Sequence, residues 1–174
     1  MIRIETLVQL KAFARQDALL LALVWTASFA CMTIVQAGII GNLLALATPF
    51  VVGWRLTKFR DHALYGYISF RRAFAYCAYV FFYASLVFAL VQFAYFRFLD
   101  NGAFAKMFAD SMQVLAPFYE KNGMSRQDIS HTITAVKMIT PVEWAFMFMM
   151  QNIFIGAVLS LFLALVGKRR KYII

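Results

Sequence analysis

The chain has 174 residues, of which 63% are hydrophobic and only 14% are charged, and its mean hydropathy is +0.73. Soluble domains have roughly half apolar and roughly a quarter charged residues, so this composition excludes an ordinary soluble domain and indicates a polytopic membrane protein. Lysine and arginine outnumber aspartate and glutamate by 17 to 8, which gives a formal net charge of +9.

Four segments are long and apolar enough to cross a bilayer as helices. A hydrocarbon core about 30 Å thick needs about 20 apolar residues per span. Three runs lack Asp, Glu, Lys and Arg: residues 18–54, 73–96 and 144–167. The first would be about 55 Å long as one helix, so it predicts two spans. The spans are expected at about 18–36, 39–56, 73–96 and 141–166, and they predict an all-α four-helix bundle.

The start of the chain predicts a short surface helix, and the residues after the first span predict a turn into the second span. Residues 4–15 alternate apolar and basic positions at helical spacing, which favours a helix lying on the inner membrane surface. No secretory signal is visible there. The turn between the first two spans is expected at residues 36–42, where Gly38 can end a helix and Gly41 can take part in a tight turn. Pro49 predicts a kink in the second span.

The excess of positive charge lies in the N-terminal segment, in the loop at residues 57–74 and in the basic C-terminal tail. Because Lys and Arg collect at the cytoplasmic ends of spans, we expect both termini and the loop to be inside. The charges either set topology and attract anionic headgroups or form a dedicated phosphate site. Asp61 is the only acid of the loop and is expected to hold Arg60 in place. The candidate contacts for an anion or a partner are Arg55, Arg60, Asp61, Arg71 and Arg72.

The third span carries tyrosines at helical spacing, Tyr76, Tyr79 and Tyr83. Such a row usually packs against neighbouring helices, and less often it lines a path for a substrate. After this span, residues 102–139 predict an extracytoplasmic amphipathic helical hairpin, in which Ser125 begins the second helix with a capping box. Pro117 is expected to bend or end the first helix. The apolar face of the hairpin would lie on the outer bilayer surface, cover the bundle or meet a partner protein.

The fourth span opens with Thr140-Pro141-Val142-Glu143, in which Thr140 can cap the helix and Glu143 can reach back to it. Small and polar side chains then recur every four residues and allow close approach of another helix: Asn152, Gly156, Ser160 and Ala164. The deep amides of Gln151 and Asn152 either pair with another helix or line a path for a headgroup or an ion. The expected helix partners are Thr26, Thr33 and Gln92.

No catalytic, metal-binding or nucleic-acid-binding pattern is recognisable. Cys31 and Cys77 fall inside spans, and His62 and His131 are expected on opposite sides of the membrane, so no zinc spacing exists. Phosphate-binding loops, dinucleotide-binding glycines and nucleophile elbows are also lacking. We therefore expect a non-enzymatic protein without a cofactor, a metal or a nucleic-acid partner.

The loop contains a recognisable motif, made of Phe59-Arg60-Asp61, Gly66, Ile68-Ser69-Phe70 and Ala73-Phe74. This motif resembles the signature of a family of small four-span bacterial inner-membrane proteins, the domain of unknown function forty-one ninety-nine. The similarity extends over nearly the whole chain, including the start of the fourth span and the basic tail. The resemblance implies a multi-pass protein of the bacterial cytoplasmic membrane, and also an association with polyprenyl-phosphate glycosyltransferases.

Two functions are compatible with these features. The first is a non-catalytic accessory or scaffold subunit that docks a partner protein through the basic loop, the small-residue row of the fourth span and the outer hairpin. The alternative is a carrier or binder of an anionic lipid, such as a polyprenyl-phosphate sugar. Arginine side chains can donate paired hydrogen bonds to phosphate oxygens. Gln151 and Asn152 would line the path of the lipid headgroup. The sequence leaves the oligomeric state open.

Overall fold

A computed structural model of the chain describes residues 4–169, with side chains from residue 7 onward. Within this part the structure is all-helical and contains no β-strand, which confirms the predicted all-α class. Part of the predicted basic tail, Arg170 and Lys171, lies outside the described residues, as does Arg3. The α-helices are α1 (Ile4–Thr33), α2 (Gly38–Leu46), α3 (Thr48–Lys58), α4 (Phe70–Phe98), α5 (Ala103–Lys121), α6 (Arg126–Met138) and α7 (Pro141–Gly167).

Within residues 4–169, four helical stretches are long and apolar enough to cross a membrane, as predicted. They run from Leu7 to Thr33, from Gly38 to Ala63, from Phe70 to Phe98 and from Pro141 to Gly167. Each is longer than the predicted span, and the first three also contain charged residues that the prediction left outside the spans. The chain therefore has the helices of a multi-pass membrane protein, and some charged side chains belong to those helices.

Helix α1 is continuous from Ile4 to Thr33, so the prediction of a separate surface helix at residues 4–15 is wrong. Leu10 and Ala14 are fully buried in the core, and Ala18 and Leu21 continue the same face of the helix. An unbroken apolar face at spacings of three and four residues keeps one helix packed on one core. The N-terminal segment consequently packs against the other helices.

The turn between the first two spans begins earlier than predicted. It occupies residues 34–37, with Gln36 at φ 56°, and Gly38 begins α2 instead of ending a helix. Gly41 lies inside α2, where an added Cβ would be 2.5 Å from Cγ of Met32. The hydroxyl of Ser28 also donates a 2.7 Å hydrogen bond to the Gly41 carbonyl. Gly41 therefore allows two antiparallel helices to approach closely and does not form the tight turn that its sequence suggested.

The break expected at Pro49 is present. Helix α2 ends at Leu46 and α3 begins at Thr48, so that Pro49 lies in the first turn, where its missing N–H removes no helical hydrogen bond. The indole N–H of Trp25 donates to the Thr48 hydroxyl over 2.9 Å and joins this break to α1. At its other end α3 runs directly into a π-helical turn, Phe59–Ala63. Such turns are frequent at functional sites.

The contacts divide the chain into two compact units. The first consists of the residues up to Ala89 together with those from Phe148 onward, and the second of Leu90–Met147. The first unit contains a single large core cluster in which α1, α3, α4 and α7 meet. Its largest fully buried side chains are Tyr76, Phe81, Leu10, Leu21 and Leu56.

The second unit contains the predicted helical hairpin, α5 and α6. The Ser125 hydroxyl accepts from the Asp128 N–H over 3.1 Å while the Ser125 N–H donates to the Asp128 carboxylate over 3.2 Å, which confirms the capping box. These contacts to Ser125 hold the pKa of the Asp128 carboxyl below its ordinary value. Pro117 does not end α5, which continues to Lys121. Glu143 caps α7 by accepting a 2.7 Å bond from the Thr140 N–H, as predicted.

Candidate functional site

A buried carboxylate joins three helices of the first unit. Asp17 on α1 is only 3% exposed, and its Oδ1 accepts a 2.6 Å hydrogen bond from Nε of Arg55 on α3. The hydroxyl of Tyr76 on α4 donates to the other carboxylate oxygen. Burying a carboxylate without a partner is very costly, and here both oxygens are occupied. The charge of Asp17 is therefore neutralised inside the bundle.

The sequence interpretation missed Asp17 because it treated the residue as a charge outside the first span. In the structure Asp17 lies within the candidate span, and it shares the buried face of α1 with Ala14, Ala18 and Leu21. Its spacing of three and four residues from buried apolar positions was the available signal. An acid on the apolar face of a membrane helix requires a partner, and Arg55 is that partner.

Aromatic stacking connects this buried pair to the loop. The Tyr76 ring stacks on Phe59 with a centroid separation of 4.5 Å and an interplanar angle of 4°. Phe59 in turn contacts Phe13 of α1, with centroids 5.2 Å apart. Phe59 is the first residue of the π-helical turn, so the packing of Tyr76 positions that turn as well as the carboxylate of Asp17.

The π-helical turn directs Arg60 inward, where its side chain contacts the end of α7. Arg60 is 7% exposed, and it donates from Nε and Nη2 to Asp61 over 2.7 and 3.1 Å. Its Nη1 donates to the carbonyl of Gly167 over 3.2 Å. The structure thus brings together Arg60 and Asp61, as their adjacency suggested. It also gives Arg60 a third contact, 107 residues away along the chain.

Backbone hydrogen bonds attach the loop to Arg169, two residues after the end of α7. Ile68 and Arg169 form an isolated antiparallel bridge, with N–O distances of 3.1 and 3.0 Å. The carbonyl of Arg60 accepts from the Gly66 N–H over 3.0 Å, which closes the turn around Tyr65. Residues 59–69 and 167–169 therefore form one connected backbone assembly, the loop–tail junction.

The five predicted loop contacts do not form one cluster. Arg55 pairs with Asp17, and Arg60 pairs with Asp61, so the charges of these arginines are used inside the protein. Arg71 is exposed. Arg72 is half-buried and reaches Oε1 of Gln9 on α1 at 3.4 Å, while its Nε is buried without a partner among the described residues.

The small residues of α7 pack against α4 of the same chain. An added Cβ on Gly156 would lie 2.5 Å from Cβ of Phe81, and Ser160 is fully buried, with its hydroxyl donating to the Gly156 carbonyl over 2.7 Å. Gln151 is exposed and Asn152 is half-buried. Two of their expected partners, Thr26 and Thr33, donate instead to the backbone of their own helix. Gly156 and Ser160 are thus occupied by internal packing within the first unit.

Two basic side chains of α1 lie over two tyrosine rings of α4. Nζ of Lys11 lies 5.2 Å from the ring centroid of Tyr79, and the guanidinium of Arg15 lies 5.9 Å from that of Tyr83. The two tyrosine rings stack on each other at 6.0 Å. Within the described residues no group of three His, Cys, Asp or Glu side chains is placed to hold a metal ion.

Replacing Arg60 with alanine is expected to free the end of α7 from the loop. Two hydrogen bonds to the exposed Asp61 carboxylate and one buried hydrogen bond to the Gly167 carbonyl are lost. The buried bond contributes more, because water screens the exposed pair. Hydrogen exchange of residues 64–69 and 164–169 should therefore accelerate by about tenfold or more. Arg71→Ala is the matched control, because it removes the same charge from an exposed position. Equal protection in the Arg60 and Arg71 variants would contradict the assigned contacts.

Residues 16–169 match a family described as a protein of unknown function, DUF4199. Comparison with curated proteins and with solved structures gave no match. The matched range begins one residue before Asp17 and ends at Arg169, so it includes the buried carboxylate, the π-helical turn and the loop–tail junction. Since it covers well over half of the chain, the resemblance noted in the loop is confirmed, and the chain belongs to the DUF4199 family.

Proposed function

We propose that this protein is a non-catalytic accessory or scaffold subunit of the bacterial cytoplasmic membrane that holds a partner protein at the loop–tail junction. The observation that carries the proposal is the exposure of Tyr65 on a fixed backbone. Tyr65 is 90% exposed and has φ 55°, a conformation that is uncommon for residues other than glycine. A backbone that its surroundings hold in such a conformation indicates a functional constraint at that residue.

The surface around Tyr65 has the composition of a binding site. Tyr67 is also exposed, and Arg71 follows at the start of α4. Tyrosine and arginine are the residues in which interfaces concentrate their binding energy. Because the surface is basic and aromatic, the partner is expected to present acidic and apolar side chains. The family resemblance makes a glycosyltransferase of lipid-linked glycan assembly the first partner to test.

In this proposal the loop–tail junction and both termini are cytoplasmic, and the hairpin of α5 and α6 is on the other side. The distribution of Lys and Arg along the sequence supports this orientation. An even number of spans also returns the chain to its starting side. Reaction of a Tyr65→Cys variant with an impermeant maleimide only from the cytoplasmic side is the expected result, and reaction from the opposite side would reverse the topology.

Purification from native membranes in a mild detergent tests the docking function. We expect a partner protein in stoichiometric amount. We expect Tyr65→Ala combined with Arg71→Ala to lose it, because Tyr65 is exposed on the junction and Arg71 is exposed in the first turn of α4, which follows the loop. Phe154→Ala is the control, since Phe154 is an equally prominent exposed aromatic residue on α7, remote in sequence from the loop. A wild-type particle that contains this chain alone would count against the proposal.

A second candidate function is the binding of an anionic lipid, and one observation favours it. Nε of Arg72 is buried without a hydrogen-bond acceptor among the described residues, although buried charged donors ordinarily have one. A lipid phosphate would supply such an acceptor. Arg55 and Arg60, which the sequence also offered for this role, already have carboxylate partners. Phospholipid that copurifies with the wild type and is lost from Arg72→Ala would support this function.

A further inference from the structure

Among the side chains that the structure describes, three cations without acidic partners lie where the N-terminal halves of α1 and α4 contact each other. They are Lys11, Arg15 and Arg72. Arg72 contacts Gln9 of α1, while Lys11 and Arg15 reach across to α4. Among the side chains of residues 7–169, the ion pairs are Arg55 with Asp17, Arg60 with Asp61 and Arg126 with Glu120, and none includes these three cations. Asp17, the acid nearest to Arg15 in sequence, is occupied by Arg55 and Tyr76.

Tyrosine rings hold two of these cations in place. Lys11 lies over Tyr79 and Arg15 over Tyr83, at distances typical of cation–π contacts. Because Tyr79 and Tyr83 also stack on each other, the two cations are supported by one rigid pair of rings. A phosphate group that binds here would meet cations that are already positioned, which lowers the entropic cost of binding.

Arg72 supplies an unsatisfied donor to the same surface. Its Nη2 reaches Gln9 over 3.4 Å, a weak contact, and its Nε is buried without an acceptor in the described part of the chain. A guanidinium with free donors binds phosphate oxygens with good geometry. Arg72 on α4 contacts α1 through Gln9, while Lys11 on α1 contacts α4 through Tyr79, so the contact between these two helices carries cations from both.

The lipid-facing surface beyond these cations suits acyl chains. Leu19 and Leu23 follow Arg15 at steps of four residues along α1, and both are exposed. On α4, Phe82 and Leu86 are exposed next to Tyr83. An anion site that continues directly into apolar helix surface is suited to a lipid, whose phosphate and chains occupy the two parts together. A soluble anion would use only the first part.

We propose that Lys11, Arg15 and Arg72 bind the phosphate of an anionic membrane lipid, whose acyl chains lie along the exposed apolar residues of α1 and α4. This inference rests on the second candidate function and names its site. It differs from the sequence hypothesis in its residues, because Arg55 and Arg60 are paired internally and Lys11 and Arg15 replace them.

The test is reconstitution of the full chain in phosphatidylcholine nanodiscs that contain a small fraction of fluorescent phosphatidylglycerol. Energy transfer from the protein's tryptophans reports the lipids at its surface. We expect enrichment of phosphatidylglycerol around the wild type. The affinity should fall by about tenfold in Arg72→Ala and in the Lys11→Ala, Arg15→Ala double variant, as expected for the loss of charge-assisted hydrogen bonds. Arg72→Lys should retain part of the affinity for phosphatidylglycerol.

Arg97→Ala is the control, since it removes an exposed arginine from the last turn of α4 and should leave the enrichment nearly unchanged. No enrichment around the wild type would overturn the lipid-binding function itself. Enrichment that survives in the Lys11, Arg15 and Arg72 variants would overturn this site alone. Excess inorganic phosphate should not displace the lipid, and displacement would overturn the lipid as the occupant. Lys11 and Arg15 are not core residues, so their double variant keeps the test valid if Arg72→Ala misfolds.

Discussion

Asp17→Ala is expected to lower the free energy of unfolding by about 3–5 kcal/mol, the range measured when one partner of a buried ion pair is removed. The substitution leaves the guanidinium of Arg55 without its carboxylate and the hydroxyl of Tyr76 without its acceptor. It also leaves a space among packed helices. The side chain of Arg55 is partly exposed, so water relieves part of the lost pairing and the lower end of the range is expected.

Companion variants separate the contributions of charge and hydrogen bonding. Tyr76→Phe keeps the ring stacked on Phe59 and removes only the hydroxyl, so its cost should be about 1–3 kcal/mol. The double variant Asp17→Leu, Arg55→Leu should recover part of the loss, because an apolar pair leaves no unpaired charge. Reversible unfolding in mixed detergent micelles gives each free energy. Gln16→Ala, next to Asp17 but exposed, is the control. A change in Asp17→Ala no larger than in Gln16→Ala would show that the buried carboxylate does not stabilise the bundle.

Gly156→Ala is expected to destabilise the packing of α7 on α4 by about 1–3 kcal/mol, and Gly156→Leu by more. The added Cβ would lie 2.5 Å from both Cβ and Cγ of Phe81. Because Cβ of Phe81 is attached directly to its backbone, no side-chain rotation relieves this overlap, and the two helices must move apart. Phe81 is almost fully buried, so that movement also disturbs its contact with Trp25.

The matched control for Gly156 is its neighbour Ala157, which is exposed. Ala157→Leu adds a larger side chain to the same helix turn but faces away from α4, so it should cost less than about 0.5 kcal/mol. Unfolding in mixed micelles again measures both variants. If Gly156→Ala and Ala157→Leu have the same stability, the close approach of α7 to α4 at Gly156 is not required for the fold.

The sequence predicts most of the helices because their signals are local. The four spans follow from apolar length, and the starts of α6 and α7 follow from Ser125 with Asp128 and from Thr140 with Glu143. Each of these features depends on residues within one or two turns of helix. The family was likewise recognised from the contiguous loop around Arg60, and the match extends over residues 16–169.

The site is harder to predict because its contacts join distant parts of the chain. A search for uncharged runs excludes Asp17 from the first span, although the acid lies on the buried face of α1 with Arg55 as its partner. The local sequence around Gly41 fits both a tight turn and a close approach of two helices. The position of Met32 on the neighbouring helix shows that Gly41 allows the close approach. The contact of Arg60 with Gly167 has no local signal at all.

The loop–tail junction also has a consequence for the order in which the chain is completed during synthesis. Arg55 meets Asp17 once the second span has followed the first, because only 38 residues separate them. Arg60, in contrast, precedes Gly167 by 107 residues, and Ile68 precedes Arg169 by nearly as many. These contacts form only after α7 has been translated and inserted. Until then, the backbone of the loop lacks its tail partner, so any protein that recognises the completed junction recognises only chains synthesised through Arg169.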